Sequence, residues 1–195
     1  MKRLILASSS PRRIGLLRKL KIQFEVIEPE ISEKPVVKGK SVKLVIGRAK
    51  AKAENVNRKI RAGIVIAADT AVALNGEILG KPETIKDAKS MLLKLSGRWH
   101  SVYTGLAVID AETGRMLTDF AETKVKFKEL SEEEVDFYLK TGEPMGKAGG
   151  YAVQGYAALF IEELKGCYYN VMGLPINKLY ELLRKIGVNF FHYVK

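Results

Sequence analysis

Leu4-Ile5-Leu6-Ala7-Ser8-Ser9-Ser10-Pro11-Arg12-Arg13 is the stretch on which the fold of this chain turns. Four apolar residues make a short strand and three serines make a turn. Ser10 followed by Pro11 is a helix start, with serine as N-cap and proline at the first helical position. Ile14, Leu17 and Leu20 then recur at helical spacing. A strand, a tight turn and an amphipathic helix in that order open an α/β sheet protein. Free N–H groups and the positive dipole end of such a helix attract anions, and Arg12 and Arg13 add two permanent charges there. The unit reads as a phosphate holder, although the same residues also fit an ordinary capped helix with two solvated arginines.

Outward from this unit, Phe24 to Ile27 reads as a second strand, followed by an acidic loop from Glu28 to Pro35. Ser41 can cap a long helix whose stripe is Val42, Val45, Ile46, Ala49, Ala53, Val56 and Ile60. Lys52 sits on or beside that stripe, where a lysine either snorkels to water or reaches into a cleft. Gly63 precedes the apolar run Ile64 to Ala68, which reads as a strand ending in Asp69-Thr70. A carboxylate at that point lies at a sheet edge, where α/β proteins place ligands. Capping the turn through its side chain is the other reading of Asp69.

Asn75-Gly76 marks a hairpin that ends at Gly80-Lys81-Pro82. Thr84 opens a helix carrying Ala88, Met91, Leu92 and Leu95, closed by Gly97. Val102 to Ile109 and Thr118 to Phe127 form two paired strands, and Ser131 with Glu134 makes a capping box for a helix that stops at Gly142. Residues 142–155 are a glycine-rich loop whose spacings fit neither a Walker A nor a dinucleotide pattern. Ala157 to Glu162 reads as a strand, and Pro175 starts a last helix with Leu179, Leu182, Leu183 and Ile186 on its core side. Helices and hairpins mixed in this way predict an α/β fold with a mixed twisted sheet flanked by helices, in two lobes around a cleft. The 195 residues fit one domain, 1–195, or two closely joined lobes.

Composition narrows the function class. The formal charge of +11, from 33 basic and 22 acidic residues, favours anionic partners. The lysines are scattered instead of forming a tract with interleaved aromatics, which argues against a nucleic-acid binder. No apolar stretch approaches the ~20 residues of a membrane span. The N-terminal apolar run is too short for a secretory signal, so the expected location is cytoplasmic and no membrane partner is expected. Cys167 is the one cysteine, which excludes a disulfide framework and a cysteine-based metal site. His100 and His192 are too few for a histidine metal site, and His100 reads as a strand residue near Trp99. Tyr168, Tyr169 and Asn170 either line a pocket or serve as packing and turn residues.

The chemistry-bearing residues are Arg12, Arg13, Lys52 and Lys81 as cations, with Asp69 and Glu33 as carboxylates. Cations bind phosphate oxygens, while carboxylates hold a hard divalent ion or take a proton from water. The set suits metal-assisted attack on a polyphosphate. Gln154 carries a donor and an acceptor that match the O4 and N3–H edge of uracil or thymine, or it ties down its own loop.

The ordered blocks Leu6 to Arg13, Ala68-Asp69-Thr70, Leu79 to Pro82, Leu95 to Arg98, Thr104-Gly105, Gly146 to Tyr151 and Asn170 to Pro175 resemble the Maf family of nucleotide pyrophosphatases. The resemblance runs from Leu4 to Leu183. It implies a fold like that of inosine triphosphate pyrophosphatases and hydrolysis of a nucleoside triphosphate to monophosphate and pyrophosphate. By the same resemblance, Asp69 is the proton acceptor and Ser8, Arg13, Lys52 and Lys81 handle phosphate. Arg12, Thr70 and Gln154 fall on positions that separate subfamilies, and Asp-Thr at 69–70 with Val-Gln-Gly at 153–155 look like the branch acting on dTTP and UTP. The expected cofactor is a divalent metal cation, magnesium or manganese, with Glu33 and Asp69 as its protein ligands. The family often shows Asp-Glu where this chain has Ser32-Glu33, so Glu33 is the one carboxylate of that pair. A homodimer rests on the resemblance alone. Two other readings stand beside the pyrimidine enzyme: a pyrophosphatase for 7-methyl-GTP or other non-standard purine nucleotides, and a non-enzymatic nucleic-acid or protein-binding regulator of cell division.

Overall fold

The computed structural model describes residues 2–31 and 41–195. Glu33 therefore lies outside the described residues. The opening unit forms as its residues predict: β1 (Leu4–Ala7) leads through the serines into α1 (Pro11–Lys19). Ser10 occupies the N-cap position with extended backbone, but its side chain makes no capping bond. Ser8 Oγ instead accepts the Ser10 N–H at 3.1 Å, so the turn is tied before the helix begins.

A two-residue β2 (Glu25–Val26) and the long α2 (Ser41–Asn57) follow. The hairpin of β3 (Ile64–Leu74) and β4 (Glu77–Leu79) turns at Asn75 and Gly76, with φ of 49° and 81°. Both left-handed residues suit a tight turn that matches strand twist. α3 (Ile85–Leu95) carries a complete Thr84–Asp87 capping box and α4 (Glu132–Lys140) a complete Ser131–Glu134 box. Between them run β5 (Trp99–Asp110) and β6 (Met116–Phe127). β7 (Ile161–Lys165), the single turn α5 (Tyr168–Val171) and α6 (Ile176–Lys185) complete the chain.

The sheet order is β2-β1-β3-β5-β6-β7, with β4 on β3. β1 runs parallel to β2 and β3, and the remaining pairs are antiparallel. Alternation along β3 divides the core. Ile64, Ile66 and Ala68 face α1 and α6, while Val65 and Ala67 face Ala49, Ala53 and Val56 of α2. Further along, Val72 and Leu74 join a separate cluster with α3, α4, Phe127 and Phe160. β3, β5 and β6 are thus shared by two lobes, one roofed by α1 and α6 and the other by α3 and α4.

Two expectations need correction. The strand predicted to end in Asp69-Thr70 runs on to Leu74, because pairing with β5 continues through Ala73 and the Asp69 carboxylate is paired within the fold and does not need the solvent of a strand end. The strand predicted over Ala157–Glu162 begins only at Ile161; Tyr156–Phe160 is a 3₁₀ turn. Its apolar run is not a buried face, since Leu159 is 69% exposed.

Candidate functional site

The location of the site follows from a break in strand pairing. On one edge of β3, β1 pairs as far as Ala7↔Ala67, and β4 begins only at Val72↔Leu79. Among the described residues, 68–71 between those limits pair with β5 on the other edge alone. Groups from both faces of the sheet can therefore meet at one opening. A cleft of about 1340 Å³ lies there, lined by Ser8, Arg12, Arg13, Lys52, Asp69, Thr70, Lys81 and Gln154. It exceeds the ~300–1,000 Å³ typical of small-ligand pockets. The described cation, carboxylate and base-pairing candidates from the sequence all line it, whereas Tyr168, Tyr169 and Asn170 do not.

On the α2 face, Asp69 is buried and its Oδ1 accepts from Lys52 Nζ at 2.5 Å. Arg48 Nη1 stands 3.8 Å from Oδ2. Arg48 and Lys52 are four residues apart on α2, so one helix face delivers both cations. Arg48 escaped the sequence reading, although that spacing from Lys52 was visible. α2 comes close because Gly105 sits opposite Asp69 in register; a Cβ there would lie 2.4 Å from the Val45 carbonyl carbon.

On the opposite face, Arg13 is anchored by two bonds: Nε donates to the Gly173 carbonyl at 2.7 Å and Nη2 to Thr70 Oγ1 at 3.0 Å. Thr104 Oγ1 donates to the Asn170 carbonyl at 3.0 Å and lies 2.9 Å from Thr70 Oγ1. Its single proton being used, Thr104 must accept from Thr70, which in turn accepts from Arg13. The Thr70 hydroxyl is thereby committed to holding Arg13 in place.

The second lobe contributes the far wall. Burial lowers the Arg12 guanidinium from its ordinary pKa, with Tyr138 and Glu143 pulling upward. Burial and then the Arg12 charge lower Lys147, against Glu143. Lys147 also lines the cleft, and its ammonium donates to the Met145 carbonyl at 3.4 Å. Neither Lys147 nor Glu143 was singled out from the sequence; both lie in the glycine-rich loop that matched no phosphate motif. Lys81 is exposed at the exit of β4, and Gln154 is exposed at the cleft mouth.

Asp69 Oδ2 is buried with no hydrogen-bond partner among the described residues. A carboxylate oxygen in that condition is the donor a hard divalent cation takes. No cluster of three or more His, Cys, Asp or Glu side chains suited to a metal occurs among the described residues. The residues therefore fit a cation that uses one or two carboxylates and completes its shell with substrate phosphates and water, as magnesium does. His100 takes no part: it is buried in β5 with Nε2 at 2.7 Å from the Tyr151 hydroxyl. No helix of the described residues is long and apolar enough to cross a membrane.

A family model described as Maf-like protein matches residues 3–186. Among similar proteins, one from Aquifex aeolicus named dTTP/UTP pyrophosphatase is 51% identical over 186 residues, covering 95% of this chain and 96% of its own length. One of the same name from Clostridium tetani is 48% identical over 188 residues, covering 95% of this chain and 98% of its own. The Ham1 protein of Staphylococcus aureus, a solved structure, aligns with a TM-score of 0.53 over 95% of this chain and 100% of that one. At 15% identity that likeness shows the fold. With the family match spanning nearly its whole length, this chain belongs to the Maf-like protein family.

Proposed function

We propose that the protein hydrolyses dTTP and UTP to the nucleoside monophosphate and pyrophosphate. The observation that carries this reading is a buried carboxylate with one oxygen held by Lys52 and the other without a hydrogen bond among the described residues, at a break in the sheet lined by cations. The names of the Aquifex and Clostridium relatives support the substrate pair. A divalent cation, magnesium or manganese, held by Asp69 and Glu33, supplies neutralising charge to the phosphate oxygens when bound.

Lys52 fixes the Asp69 carboxylate through Oδ1, and Oδ2 has two lone pairs, one for the cation and one to take a proton from a water. The resulting hydroxide attacks the α-phosphorus, the bond from that phosphorus to the bridging oxygen breaks, and pyrophosphate leaves with the electron pair. Arg13, Lys81 and Ser8 bind the triphosphate, and Arg13 needs no reorganisation because Thr70 and Gly173 already hold it. Gln154 pairs with the O4 and N3–H edge of the pyrimidine, which lies closer to the sugar than the O6 and N1–H edge of guanine, so reach from the ribose separates the two. The chain works as one domain in the cytoplasm, where its substrates are.

The test is a comparison of dTTP, UTP, CTP, GTP, ATP and 7-methyl-GTP with magnesium or manganese, measuring monophosphate and pyrophosphate separately. The reading expects dTTP and UTP well ahead, with pyrophosphate released intact. Preference for 7-methyl-GTP, or orthophosphate as the first product, would contradict it.

A further inference from the structure

The segment carrying Gln154 is clamped from both ends by two side chains outside it. The Ala152 N–H donates to the Tyr138 hydroxyl at 3.3 Å. That hydroxyl donates to Glu143 Oε1 at 2.8 Å, so its proton has one direction. On the other side of Gln154, the Tyr156 N–H donates to Glu143 Oε2 at 3.1 Å and the Ala157 N–H to Oε1 at 3.4 Å. Both carboxylate oxygens and the phenol are thus spent on the backbone flanking Val153-Gln154-Gly155. Burial holds the Tyr138 phenol well above its ordinary pKa, which keeps it an O–H donor. The fit is tight: a Cβ on Gly155 would stand 1.9 Å from Glu143 Oε2. Tyr138 itself, on α4, is fully buried against the Phe160 ring, so the clamp is anchored in the core of the second lobe.

An exposed side chain on a short loop has many conformations, and each must be lost when it pairs with a base. Backbone bonds on either side remove the loop's share of that freedom beforehand, which sharpens discrimination without any contact to the substrate. We infer that Glu143, acting with Tyr138, is a positioning residue for base selection, holding the 152–157 backbone so that Gln154 meets the pyrimidine edge. The inference rests on the pyrimidine reading proposed above.

The experiment measures kcat and KM on dTTP and GTP for wild type, Glu143→Ala, Tyr138→Phe, Gly155→Ala and the double variant Glu143→Ala/Gly155→Ala. Circular dichroism and thermal melting establish that each is folded. Glu143→Ala is expected to lower dTTP-over-GTP discrimination by on the order of 10- to 10²-fold, chiefly through a higher KM for dTTP. Activity on GTP, whose matching edge lies farther from the sugar, should fall by much less than activity on dTTP. Tyr138→Phe keeps the core volume and removes one end of the clamp, so it should give a smaller loss in the same direction. Gly155→Ala should resemble Glu143→Ala, and the double variant should be no worse than Glu143→Ala, because the carboxylate that the new methyl strikes is gone. Folded variants that keep wild-type discrimination, or that lose dTTP and GTP activity equally, would overturn the positioning role. A wild type that does not discriminate would contradict the pyrimidine reading itself and remove the specificity role with it, a result separable from selective wild type with unaffected variants.

Discussion

Asp69 and Lys52 behave as one unit, and their substitution should separate chemistry from stability. Asp69→Asn keeps the shape but removes the base, so turnover on dTTP should fall on the order of 10²–10⁴, read by steady-state kinetics. Lys52 is 7% exposed and its partner 4%, so Lys52→Ala leaves a buried carboxylate facing, among the described residues, Arg48 at 3.8 Å. Breaking such a pair typically destabilises by about 3–5 kcal/mol, and a lower denaturation midpoint should accompany the loss of activity. Lys81→Ala changes an exposed residue and should lose activity with its melting temperature unchanged. At this scale the sequence was informative because a charge beside an apolar run stands out: Asp69 after five apolar residues, Lys52 on an apolar stripe. Arg48 was passed over since its relation to Asp69 exists only once α2 lies on β3. The commitment of the Thr70 hydroxyl to Arg13 was equally hidden, being set by Thr104 and Asn170 far along the chain.

Among the elements, the contact between α2 and β5 decides whether two cations reach the carboxylate. Gly105→Ala would drive a methyl into the Val45 backbone. Backbone cannot yield as a flexible side chain can, so α2 must lift. The expected result is a loss of about 1–3 kcal/mol in urea denaturation together with reduced turnover. Elements whose ends are written in local chemistry were legible. Both capping boxes, the Asn75-Gly76 turn and the Pro11 helix start depend on residues within a few positions of one another. The continuation of β3 past Thr70 as one strand was not legible, because it depends on strand pairing with β5 and on a cation from α2. The Ala157–Phe160 run misled for a related reason: Glu143 captures the Tyr156 and Ala157 N–H groups and draws that backbone into a 3₁₀ turn, leaving Leu159 in solvent.

For the whole molecule, the two lobes are joined through shared strands, and one buried histidine reports on their integrity. Burial pushes the His100 imidazole down to about 4 from its ordinary 6.5, with a backbone contact at Arg98 pulling the other way. The unfolded chain therefore binds a proton between those values that the folded chain refuses. Stability from this group is complete above pH 6.5 and falls away as pH drops toward 4, by up to about 3 kcal/mol. Denaturation midpoints measured across that window should decline, and His100→Gln should flatten the decline. The cleft itself was legible in its residues but not in its cause. The sequence gathers Ser8, Arg13, Lys52, Asp69 and Lys81 as candidates, yet the gap between β1 and β4 that lets both sheet faces contribute is a property of the assembled sheet.

The central claim is that water activated at Asp69 attacks the α-phosphorus. Hydrolysis of dTTP in ¹⁸O-labelled water, with both products analysed by mass spectrometry, tests it most directly. The account predicts one labelled oxygen in the thymidine monophosphate and an unlabelled pyrophosphate. Label in the pyrophosphate, or in orthophosphate released beside a nucleoside diphosphate, would contradict it.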